Sequence, residues 1–324
     1  VSITWPLRSG RRLTVLVFAA TLGAAAAAGA APGDWADRVA GEPGAFALLG
    51  DLEAGCLYSA GATAVGDARV PAGSWVKPFL AYALLACGKT DENETHLCEG
   101  WRDPLHRCWY GPGHGRLNLE QALAQSCNAW FQHVTPRLEP SLYQAIDAPF
   151  FPAGWSDASI VSAAAEEWQD TFIAGRLTAR SLTFEAWSRA LAALVLGRRV
   201  DWPAGPGVPG VRALVLGPPV GDSATLAVVR RGLQAAAAGG TAQELAQRFG
   251  SADLWVKTSS SQSPYGDAAG RRPDAVCMVA AFWPAGHPRA FIALFVPRGM
   301  AATTAAPLAG EVLRDFCRWR RMLP

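Results

Sequence analysis

Ser74-Trp75-Val76-Lys77 sets a hydroxyl and an amine three residues apart, so that on a helix both face the same way. A neutral lysine amine so placed can take the serine proton and turn the hydroxyl into a nucleophile, provided burial and nearby positive charge lower its pKa. Pro71-Ala72-Gly73 puts Ser74 at a helix N-terminus, where backbone amides and the helix dipole stabilise a developing oxyanion. Two more groups follow in chain order. Ser126-Cys127-Asn128 closes the segment Leu119 to Gln125, and Lys257-Thr258-Ser259-Ser260 follows an apolar, strand-like run. The chain has three lysines, and two of them, Lys77 and Lys257, fall in these groups; the third, Lys89, sits in a polar segment read as a solvated loop.

A second set of residues could hold a metal. Seven cysteines cannot all pair as disulfides. Cys98, Cys108, His114 and Cys127 lie within thirty residues, and three thiolates with one imidazole make a complete tetrahedral zinc set of the structural kind. A Cys98–Cys108 disulfide is the alternative, natural in an oxidising compartment, and His96 and His106 offer a less coherent ligand choice.

The order S-x-x-K, S-x-N, K-T-x is the signature of active-site serine penicillin-recognising enzymes. From Gly44 to Val296 the chain resembles the transpeptidase domain of penicillin-binding proteins. The resemblance extends to Arg69 to Ser74, to Leu117 to Leu123, to Thr183, to Gly240-Thr241-Ala242 and to Lys257 to Gln262. It implies Ser74 as acylated nucleophile, Lys77 as general base, and Ser126, beside Lys257, as proton relay. It further implies that Asn128 holds a substrate amide, and that Thr258 and Ser260 bind the terminal carboxylate of a D-Ala-D-Ala stem peptide of peptidoglycan. The amides of Ser74 and Ser260 would form the oxyanion hole. β-Lactams are the implied inhibitors, and no cofactor serves the chemistry. Cys108-Trp109 and Gly113-His114-Gly115 resemble the loop of elongation-type class B members, some of which bind zinc at the matching positions. Ser259 departs from the pattern. It stands where the family has glycine, on the strand bordering the bound peptide, where its hydroxymethyl group would crowd substrate.

Elements must hold these groups. Ala45 to Leu49 and Cys56 to Tyr58 read as a hairpin, Ser74 to Cys87 as an apolar helix closed by Gly88, and Asn118 to Val134 and Thr183 to Leu196 as further helices. Leu226 to Ala238 and Leu308 to Met322 have helical periodicity; Leu254 to Val256, Ala275 to Trp283 and Phe291 to Val296 read as strands. Strands at both ends with helices between predict an α+β fold whose sheet combines N- and C-terminal segments. The resemblance implies the β-lactamase/transpeptidase kind, a mainly antiparallel sheet flanked by helices with a helical subdomain carrying the S-x-N loop.

Of 324 residues, 50% are apolar and 17% charged, with a net charge of +2. That content excludes a disordered chain, and the near-neutral charge argues against a nucleic-acid partner. Arg8, Arg11 and Arg12 before the apolar run Leu13 to Ala30 read residues 1–31 as a secretory signal or an N-terminal membrane anchor, placing the remainder in the periplasm or on the outer face of the membrane. Residues 32–43 then form a short linker or helix and 44–324 the catalytic domain, with no room for a class B pedestal or a glycosyltransferase.

Overall fold

The computed structural model describes residues 3–6, 12–15, 33–137, 149–151, 182–203, 210–262 and 275–323. It divides into two units, 1–31 and 32–324. In the first, strands Ile3–Pro6 and Arg12–Val15 pair antiparallel, and most of the expected leader lies outside the described residues. Among the described residues no helix is long and apolar enough to cross a membrane.

In the second unit six strands form one antiparallel sheet: β1 (Phe46–Asp51), β2 (Cys56–Gly61), β3 (Val211–Ala213), β4 (Trp255–Gln262), β5 (Ala275–Trp283) and β6 (Ala290–Val296). Their spatial order is β4-β5-β6-β1-β2-β3, so the sheet combines N- and C-terminal segments, as the sequence predicts. β1 and β6 lie mid-sheet, and every residue of both is buried. Both faces of these strands are covered, which is why they read as unbroken apolar runs and not as alternating ones. Leu48, Phe291 and Phe295 join the core on one face; Leu49, Ile292 and Leu294 join the core on the other. Gly50 is required by this packing, because a Cβ there would sit 2.0 Å from the Phe291 ring.

Eight helices matter here: α1 (Asp34–Gly41), α2 (Lys77–Ala86), α3 (Leu119–Ala124), α4 (Asn128–Val134), α5 (Phe184–Leu196), α6 (Ser223–Gly239), α7 (Gln243–Phe249) and α8 (Ala306–Trp319). α2 is buried on all sides from Lys77 to Leu84, as a helix apolar all round must be. Gly88 ends it at φ 62°, and Thr183 caps α5 through the Ala186 amide at 3.1 Å. α1 packs its Trp35 edge-on to Phe316 of α8, ring centroids 5.8 Å apart.

One expectation is corrected. Asn118 to Val134 is not one helix: α3 stops at Ala124, and α4 begins at Asn128. Between them Ser126 adopts φ 49°, a left-handed conformation that breaks the helical ladder. The start is as read, with Asn118 and Gln121 forming a reciprocal capping box.

Candidate active site

Ser74 lies in the 3-10 turn Gly73–Val76 that feeds directly into α2. Trp75 ties this turn to β4, its Nε1 donating to the Lys257 carbonyl at 3.1 Å. Gly73 has φ 50°, and a Cβ on it would lie 2.2 Å from the Ser259 Oγ. The close seat of the turn on β4 therefore depends on that glycine.

Both catalytic-type lysines are fully buried, and their amines converge on one hydroxyl. Lys77 Nζ donates to the Ser126 carbonyl (2.6 Å), to Asn128 Oδ1 (2.6 Å) and to Ser126 Oγ (3.3 Å). Lys257 Nζ donates to Ser126 Oγ at 2.9 Å and to the Thr258 carbonyl at 2.7 Å. Burial brings the Lys77 amine down to about 8, while Cys108 and Cys127 behind it pull upward. Burial, and then the charge of Lys77, hold Lys257 well below the ordinary lysine range. Two buried amines around one hydroxyl disfavour the doubly charged state, which is why both are pushed below the ordinary lysine range.

The left-handed Ser126 costs about 1–3 kcal/mol and persists because its surroundings over-determine it. Cys127 donates its amide to the Ala122 carbonyl at 2.9 Å, and Trp109 Nε1 donates to the carbonyls of Ser126 (3.1 Å) and Gln125 (3.2 Å). Ser74, Ser126, Asn128, Thr258 and Ser260 line one cleft with about 550 Å³ of empty space, and Lys77 and Lys257 are buried within reach of Ser126. Ser74, Lys77, Ser126, Asn128, Lys257, Thr258 and Ser260, named from the sequence, are thus brought to one place. Thr258 Oγ1 pairs with Thr241 Oγ1 at 2.6 Å, and Ser260 Oγ accepts from the Ala301 amide at 2.8 Å.

Sequence reading misses four contributors. Trp109 was visible only as the residue after Cys108. Thr241 was recognised as a landmark without a role. Ala301 and Met300, which also line the cleft, carry no signal in their type.

Ser259 does more than crowd the strand. Its Oγ accepts the Ser74 amide proton at 2.9 Å and donates to the Ala72 carbonyl at 3.1 Å. The amide that the resemblance assigns to an oxyanion hole is therefore already bonded to a side chain of the same protein.

Cys98, Cys108, His114 and Cys127 come together at the other end of the loop, their ligand atoms within 4.8 Å of one another. All seven cysteines are thiols, so the Cys98–Cys108 disulfide does not form in this structure. His114 Nδ1 lies 3.5 Å from the sulfurs of both Cys98 and Cys108, and the Cys108 and Cys127 sulfurs are 3.9 Å apart. A tetrahedral zinc with bonds of about 2.3 Å to sulfur and 2.0 Å to nitrogen places its ligands about 3.5 Å (S···N) and 3.8 Å (S···S) apart, so the four residues fit it. Sharing a hydrogen bond, Cys108 is pushed toward thiolate and Cys127 away from it. Short strands His96–Cys98 and Gly115–Leu117 pair to close the loop.

Comparison with known proteins bears on the family and the fold. Residues 60–150 match the family model of the penicillin-binding protein transpeptidase domain. Peptidoglycan D,D-transpeptidase MrdA of Escherichia coli K12 is 35% identical over 69 residues, which are 20% of this chain and 11% of that protein. Pseudomonas aeruginosa PBP2 shares the fold with a TM-score of 0.65 at 19% identity, over 88% of this chain and 76% of that one. The TP domain of Burkholderia pseudomallei penicillin-binding protein 3 does so with a TM-score of 0.62 at 16% identity, over 90% and 92%. Helicobacter pylori PBP2 gives a TM-score of 0.67 at 18% identity, over 90% and 63%. The family-model match is confined to residues 60–150, the MrdA match spans about a tenth of that protein's length, and the solved structures share the fold over most of this chain.

Proposed function

We propose that the protein is an exported serine D,D-transpeptidase that acts on peptidoglycan stem peptides through an acyl-enzyme on Ser74. The observation that carries the reading is the convergence of two buried lysine amines on Ser126 Oγ at the cleft that Ser74 lines. In this reading Lys77 takes the Ser74 proton as Oγ attacks the carbonyl carbon of the penultimate D-Ala. The Ser126 hydroxyl delivers a proton to the departing D-Ala amine as the C–N bond breaks. An acceptor amine, or water in the alternative D,D-carboxypeptidase reaction, then attacks the ester, and Ser74 recovers its proton. Thr258, held by Thr241, receives the terminal carboxylate, and Asn128 the substrate amide.

We also assign a structural zinc to Cys98, Cys108, His114 and Cys127. Bound there, the ion supplies a cross-link that ties the loop to Cys127, between the two halves of the S-x-N segment.

A second reading is favoured by one contact, the Ser74 amide held by Ser259 Oγ: a chain that keeps the fold and binds ligands without turnover. One experiment separates the two. Incubation with a fluorescent penicillin, read by intact mass, is expected to give a stable adduct that Ser74→Ala abolishes. Rapid drug hydrolysis without an adduct would mean a β-lactamase. Folded protein that gives neither adduct nor hydrolysis, and leaves a D-Ala-D-Ala peptide intact, sinks the catalytic reading.

A further inference from the structure

Four of the five histidines fall between positions 96 and 133, and only His114 belongs to the cysteine cluster. His96, His106 and His133 pack against one another. The His96 and His133 rings stack at 4.4 Å and 14°, and His106 stands edge-on to His96 at 5.2 Å. The spacing that built the first cluster is used twice: His96-Leu97-Cys98 on one arm of the loop, His106-Arg107-Cys108 on the other. Each arm thereby contributes one thiol to the cysteine cluster and one imidazole to a second, adjoining one.

We propose that His96, Asp103 and His106 form a second metal site, for a divalent ion of the zinc class, distinct from the cysteine centre. Their ligand atoms all lie within 4.8 Å of one another. His106 Nδ1 and Asp103 Oδ2 are 3.1 Å apart, close to the roughly 3.3 Å that two bonds of about 2.0 Å to one tetrahedral ion impose. His96 Nε2 is buried with no hydrogen-bond partner among the described residues, and a buried ring nitrogen left so is costly unless something ligates it. Asp103 is pre-set by its other oxygen, which accepts the amides of Leu105 (2.8 Å) and His106 (3.0 Å). His133 supports the site without completing it: its Nε2 is taken by Arg137 at 3.2 Å, and its ring braces His96 from the stacked face. Three protein ligands, each only partly buried, leave one coordination position open to water or an exchangeable ligand, unlike the closed Cys3His set. Imidazole and carboxylate without thiolate also give this site a harder donor set than its neighbour.

The test is metal stoichiometry of the full chain, stripped with a chelator under reducing conditions and titrated with zinc or cobalt(II) chloride. One equivalent of cobalt is expected to bring thiolate-to-metal charge transfer from the cysteine centre. A further equivalent should bind with weaker visible bands and no added charge transfer. His106→Ala and the near-isosteric Asp103→Asn, with melting temperature as the control for folding, should each lose one ion and keep the charge-transfer band. Cys98→Ser should show the converse. If all metal bound by the folded wild-type protein is accompanied by charge transfer, or if both His106→Ala and Asp103→Asn bind as many ions as wild type, the second site does not exist.

Discussion

In the proposed reaction, Ser259 Oγ competes with the substrate carbonyl for the Ser74 amide. A substrate carbonyl that uses the Ser74 amide must first displace the Ser259 hydroxyl, which holds that amide at 2.9 Å and is anchored in turn to Ala72. Neutral hydrogen bonds contribute about 0.5–1.5 kcal/mol net, but loss of one oxyanion donor costs about 10²–10³ in rate. Ser259→Ala and Ser259→Gly are therefore expected to raise the acylation rate constant with a penicillin about tenfold or more. A fall in both variants would show that the hydroxyl positions Ser74 productively. Lys77 gives the matching pH prediction. Its amine titrates near 8 in the folded protein, below the ordinary lysine value, so the neutral base is scarce at low pH and accumulates as pH rises through 8. Acylation should climb about tenfold per pH unit below that point and level off above it. Lys77→Met should lose about 10²–10⁴ in rate and flatten the rising limb; an unchanged limb would assign it to another group.

At the scale of elements, the S-x-N segment is held from the loop that ends at His114. Trp109 spans the two with hydrogen bonds to Gln125 and Ser126 carbonyls, although its side chain is 45% exposed. Trp109→Phe keeps the ring contact and removes both bonds. About 1 kcal/mol of lost positioning corresponds to roughly fivefold slower acylation, with little change in melting temperature. Chelation of the proposed zinc should act more broadly, lowering both the melting temperature and the acylation rate, with recovery on adding zinc back; a chelated protein with unchanged melting and reactivity would remove the cross-link from the account. This region also marks where sequence reading stopped. The apolar spacing from Leu119 to Val134 is helical throughout, and Ser126 is not a residue type that announces a left-handed turn. Its conformation comes from Lys77, Trp109 and Ala122, all distant or unremarkable in sequence. The helix starts at Asn118 and Thr183 and the stop at Gly88 were legible because capping is local chemistry. The Ser259 contact was half legible: the type was odd, but its partner lies 185 residues away.

Across the whole molecule the sheet separates chemistry from stability. One face carries Trp75, Phe79 and α5 beneath the site; the other carries an aromatic group of Trp35, Tyr58, Phe316 and Trp319 that joins α1, β2 and α8. Arg320 closes this second group, lying over the Tyr58 and Trp319 rings and donating to the buried Asp51 at 2.7 Å. Of the basic end, Arg320 is spent on this ion pair, while Arg318 and Arg321 stay exposed. Phe316 is fully buried, 5.5 Å from the Tyr58 ring and 5.8 Å from Trp35. Truncating it leaves a cavity between rigid rings that cannot collapse, at a cost of about 3–5 kcal/mol. For a domain of this size that lowers the melting temperature by roughly 6–20 °C. Ser74, Lys77 and Ser126 touch none of these rings, so at 25 °C the remaining folded protein should acylate at the wild-type rate. Phe316→Ala followed by melting and penicillin labelling checks both halves. A large loss of labelling rate with folded protein still in hand would mean that the two faces of the sheet are coupled, and that α8 takes part in shaping the cleft through Met300 and Ala301, which lie just before it in the chain.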